Sequence, residues 1–162
     1  MNHPECIIDI VGLQTRFGTQ VIHQDVNLCV YRGEILSLVG GSGSGKTTLL
    51  RQILGLEQPY QGTVRIFGET RNNSNHNPLR KSIRGRTGVL FQQGALFSAL
   101  TVFDNVALPL RELHALDEKM IRELAMIKLK MVAIGAEHAD KMPAALSGGM
   151  IKRVALARAL AL

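Results

Sequence analysis

The stretch GGSGSGKT occupies residues 40–47, between the apolar run ILSLV (35–39) and the helix-like segment KTTLLRQILGL (46–56). It fits the pattern G-x-x-x-x-G-K-[ST], whose glycines let backbone N–H groups wrap around phosphates. Lys46 adds a charge for the β- and γ-phosphates, and Thr47 offers a hydroxyl to Mg²⁺. A helix that begins at Lys46 turns its positive end toward the same oxygens. A strand before the loop and a helix after it favour a nucleotide site over a glycine-rich turn that matches by chance.

The segments around this loop predict a mixed α/β chain. CIIDIVGL (6–13) and VIHQDVNLCV (21–30) predict two antiparallel strands joined by a turn at 16–19. TVRIF (63–67) predicts another strand. ILSLV and TGVLF (87–91) are short and fully apolar, which is typical of parallel strands buried on both faces.

The second half of the chain changes its apolar period from two to about 3.6 near Thr101, so it is predicted to be mostly helical. One helix is predicted over roughly 117–134, begun by Asp117 and Glu118. Its core-facing stripe is predicted to be Met120, Leu124, Ile127, Met131 and Ile134. The polar segment 69–86 predicts a loop with one short helix, and a subdomain boundary is predicted near 93–100.

Composition is that of a globular chain with one core: 162 residues, 46% hydrophobic and 20% charged. The net charge of +6 attracts phosphates, nucleic acid or anionic lipid without choosing among them. A basic patch is formed by Arg80, Lys81, Arg84 and Arg86. For this patch a solvated face is favoured over contact with lipid headgroups or nucleic acid.

The cysteines and the hydropathy pattern predict a cytosolic, soluble protein. Cys6 and Cys29 lie in apolar strand-like runs without metal or redox spacing, so both are predicted to be reduced core residues. The histidines show no metal-ligand spacing. No signal-peptide leader precedes Ile7, and the stretch from Thr87 to Leu110 is too polar for a spanning helix.

Two further motifs follow the phosphate loop. Gln92 ends a predicted strand about 45 residues beyond Lys46, where an amide can ligate Mg²⁺ or hold an attacking water. LSGGM (146–150) precedes a basic helix; Ser147 is a natural N-cap, and the two glycines leave their N–H groups exposed. Taken singly, a polar strand end and an ordinary capped helix would explain both.

The order of the motifs is more specific than any one of them. The chain has a phosphate loop, then a strand-end Gln, a helical subdomain, and LSGG before a basic helix. In this order it resembles the ATP-binding subunit of ABC transporters across essentially its whole length. The resemblance implies an α/β P-loop NTPase core with an N-terminal antiparallel β subdomain and the P-loop core in 1–92, and a Q-loop and helical subdomain in 93–162. It implies ATP and Mg²⁺ as cofactors, Thr47 and Gln92 as Mg²⁺ ligands, and Gln92 as the catalytic Q-loop residue. The ATP-binding residues it implies are Phe17, which would stack on adenine, Gly40, Gly41, Ser42, Gly43, Ser44, Gly45, Lys46, Thr47 and Thr48, with Ser147, Gly148 and Gly149.

A narrower resemblance concerns cargo. LFQQGALFSALTVFDNVALPLRE (90–112) and Met150, where most ABC ATPases have Gln, look like the ATPases of the Mla phospholipid systems, also called the toluene-tolerance type. This resemblance implies a homodimer of ATPase subunits in which the Ser147 turn of one copy covers the ATP of the other. It also implies an integral inner-membrane permease, an MCE-type substrate-binding protein, and a peripheral location on the cytoplasmic face of the inner membrane. The segment 94–110 would either face the permease or be plain core.

The sequence departs from the family in one respect. An ABC ATPase needs a second buried strand ending in Asp for Mg²⁺, followed by Glu as general base, and neither the run ending at Asp9 nor the run 100–104 fits. Because a positioned general base contributes roughly 10²–10⁴-fold, hydrolysis is expected to be negligible. The chain is expected to be incomplete at its C-terminus, with an exposed apolar edge and a marginal, aggregation-prone fold.

Three alternatives remain from the sequence. One is an ABC ATPase for another cargo, such as a lipoprotein, an amino acid or an ion. The second is a DNA-repair or chromosome-structuring ATPase, which the charge permits but the absence of long coiled coils disfavours, so no nucleic-acid partner is predicted. The third is an inactive nucleotide-binding fragment.

Overall fold

The computed structural model describes residues 5–70, 83 and 85–162. They belong to two compact units, Met1–Ile83 and Arg84–Leu162. Most of the loop predicted over 69–86, and Arg80, Lys81 and Arg84 of the basic patch, lie outside the described residues, while Arg86 is exposed. The domain boundary after residue 92 stays a prediction.

The first unit is built on a four-stranded antiparallel sheet in the order β2-β1-β3-β4. Its strands are β1 (Cys6–Phe17), β2 (Gln20–Tyr31), β3 (Gln61–Ile66) and β4 (Glu69–Thr70). β1 and β2 form a hairpin that pairs Phe17 with Gln20 at its tip. The N-terminal antiparallel β subdomain predicted from the alternating apolar residues is therefore confirmed.

One helix, α1 (Lys46–Leu54), supplies apolar residues to the same core as the sheet. It ends at Gly55, whose φ of 79° lets the backbone N–H turn back to the carbonyls of Arg51 and Gln52. The buried side chains of this core are Ile10, Leu13, Leu49, Ile53, Val64, Ile66 and Ile83.

The two cysteines correct a prediction. Cys6 and Cys29 lie on the adjacent strands β1 and β2, with their Cα atoms 5.9 Å apart, and they form a disulfide. That separation is ordinary for a disulfide, and it follows from strand pairing, which a spacing of 23 residues in sequence does not reveal. The prediction of two reduced core cysteines is wrong for this structure, in which both side chains are only half-buried.

The second unit is helical, as predicted. Its helices are α2 (Val102–Glu112), α3 (Glu118–Met131) and α4 (Gly148–Ala159), with short 3-10 turns at Ala136–His138 and Pro143–Ala145. Thr101, Asp117 and Ser147 cap the three helices, each accepting a hydrogen bond from a first-turn backbone N–H. No helix among the described residues has the length and apolar character needed to cross a bilayer.

The buried face of α3 differs from the predicted stripe. Ile121, Ala125 and Leu129 are buried in the core shared with α2 and α4. Of the predicted stripe, Leu124 packs partly against that core and Ile134 is buried beyond the helix end. Three members are exposed instead: Met120, Ile127 and Met131. The apolar residues of α3 cover two adjacent faces, and the neighbouring helices rather than hydropathy select the one that is buried.

Two apolar runs predicted as buried parallel strands are not paired. Residues 31–40 are exposed throughout, and Ile35 and Val39 are 94% and 92% exposed. Residues 87–91 are not part of a strand either, although a Cβ at Gly88 would collide with the carbonyl oxygen of Ala159 at the end of α4. A strand needs a hydrogen-bonding neighbour, and neither run has a strand partner within 5–70 or 85–162.

The start of α2 is fixed by reciprocal bonds between Thr101 and Asp104. The Thr101 hydroxyl accepts from the Asp104 N–H at 3.0 Å and donates to its carboxylate at 2.7 Å. Arg111 donates to Asp104 at 2.9 Å and also to Glu118 of α3. These bonds, first that from Thr101 and then that from Arg111, lower the pKa of Asp104. The rejection of 100–104 as a catalytic strand is confirmed, because this run begins a helix.

Replacing Asp104 with Asn should destabilise the second unit in a pH-dependent way. The pKa of Asp104 lies below its ordinary value of 3.8, so its ionised form stabilises the fold above about pH 4, and that contribution is lost as the pH falls through the lowered pKa. We expect D104N to unfold a few degrees lower at pH 7, since about 1 kcal/mol corresponds to about 2–4 °C in a chain of this size. The difference from the unsubstituted chain should shrink at about pH 3.

The measurement is thermal unfolding followed by circular dichroism at both pH values. Glu112→Gln, at an exposed position on the same helix, is the matched control and should change the midpoint little. An equal destabilisation by D104N at neutral and acidic pH would contradict the role given to its charge.

Candidate nucleotide-binding site

The loop before α1 presents backbone N–H groups that no side chain caps. Gly43 and Gly45 have φ values of 82° and 89°, which L side chains rarely adopt. The helix begins with the hydrogen bond from Leu49 N to Gly45 O at 2.8 Å. Because Gly45 is the N-cap and has no side chain, no cap satisfies the first-turn N–H groups. Donors of this kind at a positive helix end suit a phosphate.

The ammonium group of Lys46 lies over the same loop. Its Nζ donates to the carbonyl oxygens of Gly40 at 2.7 Å and Gly41 at 2.6 Å, and to the Ser44 hydroxyl at 3.1 Å. These acceptors all belong to the loop, so the charge is held at the loop rather than in an ion pair. Thr47, at the second position of α1, is exposed. The uncapped start of α1 suits an anion, and the Lys46 charge lies beside it, held by acceptors of the loop itself.

The remaining predicted contact in the first unit is Phe17. It lies at the end of β1, opposite Gln20 at the tip of the hairpin, and its side chain is 51% exposed. An exposed aromatic ring offers a flat apolar face to a base. Stacking on adenine stays a prediction.

Gln92 belongs to the second unit, in an exposed turn closed by the hydrogen bond from Gly94 N to Phe91 O at 2.9 Å. Arg158 of α4 fixes the residues that follow, because its guanidinium donates to the carbonyl oxygens of Gly94 and Ala95, both at 2.8 Å. Burial of this guanidinium lowers its pKa. The hydropathy pattern did not reveal that Arg158 connects α4 to residues 94 and 95, because its partners are backbone atoms 63 and 64 residues away.

The LSGG turn forms the start of α4, as predicted. The Ser147 hydroxyl accepts from the Met150 N–H at 3.3 Å, so the predicted N-cap is confirmed. A Cβ at Gly148 or Gly149 would meet nothing within 4 Å. The packing of this chain therefore does not require either glycine, and both leave open space at a helix N-terminus.

The predicted site residues are thus divided between the two units. Phe17 and the loop 40–48 lie in the first unit, and Gln92 and 147–149 lie in the second. Among the residues that the structure describes, no three His, Cys, Asp or Glu side chains form a metal-ligand group. The predicted Mg²⁺ ligands, Thr47 and Gln92, are of other types and stay a prediction.

Three polar residues near the loop went unnoticed in the sequence. Thr15, His23 and Gln52 are buried, and a Cβ at Gly45 would collide with His23 Nε2. The available signal was a histidine within the apolar run 21–30, a position where a strand core normally excludes a titratable group.

Known proteins resemble this chain along nearly its whole length. A family model described as ABC transporter matches residues 23–162. Intermembrane phospholipid transport system ATP-binding protein MlaF of Haemophilus influenzae is 43% identical over 156 residues, covering 96% of this chain and 58% of the relative. Probable ribonucleotide transport ATP-binding protein mkl of Mycobacterium leprae is 42% identical over 155 residues, covering 96% of this chain and 44% of that protein.

A solved structure shows the same fold. The dimeric post-hydrolysis structure of the ATP-binding cassette MJ0796 bound to ADP and Pi matches with a TM-score of 0.84 at 36% identity, covering 95% of this chain and 69% of that one. The chain thus spans less than three-fifths of the MlaF sequence that it matches. Because the family model, the relatives and the shared fold agree, the chain belongs to the ABC transporter family and is part of an ATPase domain of that family.

Proposed function

We propose that this chain binds ATP with Mg²⁺ through the loop 40–48 and Phe17, and that it is the nucleotide-binding part of a transporter's ATPase subunit. The observation that carries the proposal is the start of α1, where uncapped N–H groups and the Lys46 ammonium surround one loop. A phosphate oxygen would accept from the uncapped N–H groups, and it would replace the loop oxygens of Gly40, Gly41 and Ser44 as the partner of the Lys46 ammonium. The MJ0796 cassette, which shares the fold, is bound to ADP and Pi.

The intact protein works, in this proposal, as a homodimer. The Ser147–Gly149 turn of one copy covers the nucleotide held by the loop 40–48 of the other, in a two-fold arrangement. The open space around Gly148 and Gly149 supports this, because an approaching phosphate would use the room that the chain itself leaves unfilled. The MJ0796 cassette, which has the same fold, is likewise a dimer in its nucleotide-bound structure.

Phospholipid is the proposed cargo, moved by an inner-membrane permease together with an MCE-type protein. The name of the Haemophilus relative, which refers to intermembrane phospholipid transport, supports this assignment. The mycobacterial relative, almost as similar, carries a name that refers to ribonucleotide transport. Another cargo, a lipoprotein, an amino acid or an ion, is the alternative. The subunit would lie on the cytoplasmic face of the membrane.

The surface proposed to contact the permease is narrower than 94–110. Six residues of α2 are buried, so that helix is mainly core. The longest exposed run in 94–110 is 97–99, with Phe97 53% exposed. Arg158 donates to the carbonyl oxygens of residues 94 and 95, which precede this run. Arg158 belongs to α4, and the N-cap of that helix is Ser147. Movement at the permease contact would therefore be passed through Arg158 to the helix that covers nucleotide.

Loss of the Lys46 ammonium should weaken nucleotide binding. We expect Lys46→Ala to lower the affinity for ATP at least about tenfold, because an ammonium-to-phosphate interaction of a few kcal/mol is removed. The measurement is the fluorescence titration of a labelled ATP analogue. Arg51→Ala is the control, since Arg51 is a cation exposed on the same helix, and it should change the affinity less than about twofold. Equal affinities for the unsubstituted chain and K46A, or no binding at all, would overturn the proposed site.

Gly148→Ala separates stability from association. Alanine is a better helix former than glycine by about 1 kcal/mol and a Cβ there meets nothing within 4 Å, so the unfolding temperature should rise or stay level. A methyl group should nevertheless weaken ATP-dependent self-association, because it fills the space proposed for the phosphate of the partner copy. Thermal unfolding and analytical ultracentrifugation with ATP measure the two effects. Unchanged association in G148A would exclude this packing of the dimer.

ATP turnover by the 162-residue chain should be negligible, at least about 10²-fold below that of a complete ABC ATPase. The reason is that no buried strand predicted from the sequence ends in Asp followed by Glu. Asp104 serves the start of α2 instead, and Asp9 pairs with Arg65 at 3.2 Å. Phosphate release at saturating MgATP is the measurement, with K46A as the background control. Turnover at the rate of a complete enzyme would show that another group acts as base.

A further inference from the structure

A row of buried polar side chains lies next to the phosphate loop in the first unit. Thr15 comes from β1, His23 from β2 and Gln52 from α1, and their exposed fractions are 2%, 9% and 0%. Burial of polar groups is costly unless they are hydrogen-bonded. The side chains form a chain of hydrogen bonds from His23 to Thr15 and from Thr15 to Gln52. This chain of bonds joins the sheet to the helix that begins at the loop.

The orientation of the Gln52 amide gives the hydrogen bonds in this row one consistent direction. The Gln52 Nε2 donates toward the carbonyl oxygen of Gln58 at 3.5 Å, which turns its Oε1 to Thr15. The Thr15 hydroxyl donates to that Oε1 at 3.1 Å. A hydroxyl has one proton, so at the 2.8 Å contact with His23 Nδ1 the Thr15 oxygen is the acceptor. This arrangement corresponds to the Nδ1–H tautomer of a neutral His23 ring.

The opposite edge of the His23 ring faces Gly45. A Cβ built on Gly45 would collide with His23 Nε2, and it would lie 2.9 Å from His23 Cε1 and 2.7 Å from Ile22 Cγ2. Gly45 is the residue where the loop becomes α1, immediately before Lys46. The imidazole is thus packed directly against the turning point of the loop, while its Nδ1 is anchored through Thr15.

We propose that His23 is a positioning residue for the nucleotide loop. The Thr15–Gln52 pair locks the ring, and the ring sets the place of Gly45, so the N–H groups of α1 and the Lys46 ammonium point at one phosphate position. His23 itself touches no nucleotide. The inference rests on the proposed function, since it requires that the loop 40–48 binds ATP.

The alternative is a ring that only fills space in the core. The two roles differ in what Thr15 does, because Thr15 anchors the ring through a hydrogen bond. A space-filling ring needs no anchor. Thr15→Val keeps the shape of the side chain and removes the hydroxyl, whereas Thr15→Ser keeps the hydroxyl. His23→Phe keeps an aromatic ring beside Gly45 and removes the nitrogen that bonds to Thr15.

The first test measures the affinity for a fluorescent ATP analogue and the unfolding temperature without nucleotide. We expect Thr15→Val and His23→Phe to weaken binding at least about fivefold, and Thr15→Ser to stay within about twofold of the unsubstituted chain. Ile10→Val, a loss of one methylene in the same core, is the control for destabilisation and should also stay within that limit. If the unsubstituted chain binds no ATP, the proposed function fails; if it binds and T15V and H23F bind equally well, only the positioning role fails.

The second test needs no substitution and so does not depend on whether a variant folds. Nitrogen-15 spectra of the histidine rings should show the Nδ1–H tautomer for neutral His23. Saturation with ADP should shift the His23 ring signals, and it should leave those of His114 and His138, which belong to the second unit, unchanged. An Nε2–H tautomer, or ring signals of His23 that ADP does not move, would overturn the positioning role.

Discussion

The start of α1 depends on the absence of a side chain at Gly45, which is packed against the His23 ring. At this point the chain passes from a loop into α1 with a φ of 89°, and a Cβ would collide with the imidazole. The same residue is the N-cap, so the absence of a side chain also leaves the first N–H groups of the helix without a cap. One steric condition thus allows the close packing of loop on sheet and makes the helix end available to an anion.

Glycines of this chain differ in how closely the rest of the chain surrounds them. Gly45, Gly88 and Gly94 are enclosed by the chain itself, since an added Cβ would meet other atoms at 3.1 Å or closer. Gly148 and Gly149 meet nothing within 4 Å. The first three are explained by packing within one chain. The last two lie on a helix that would gain from alanine, and packing within the chain does not explain them.

Local features were predictable because they depend on neighbours in sequence. The hairpin of β1 and β2, the start of α3 at Asp117 and the cap at Ser147 all follow from short-range patterns. The prediction failed wherever a distant neighbour decides. The runs 35–39 and 87–91 have strand composition without a strand partner among the described residues. In α3 the neighbouring helices select Ile121, Ala125 and Leu129 rather than the adjacent apolar face.

The sequence by itself determined the motifs and their order, a phosphate-loop pattern, Gln92 after an apolar run and an LSGG turn, as in ABC transporter ATPases, because these motifs are formed by adjacent residues. Only the tertiary structure decided which distant residues contact one another. Cys6 meets Cys29, His23 meets Gly45, and Arg158 holds the carbonyls of 94 and 95. Each of these pairs joins residues that are far apart along the chain, and their contact results from strand pairing and helix packing rather than from any local pattern.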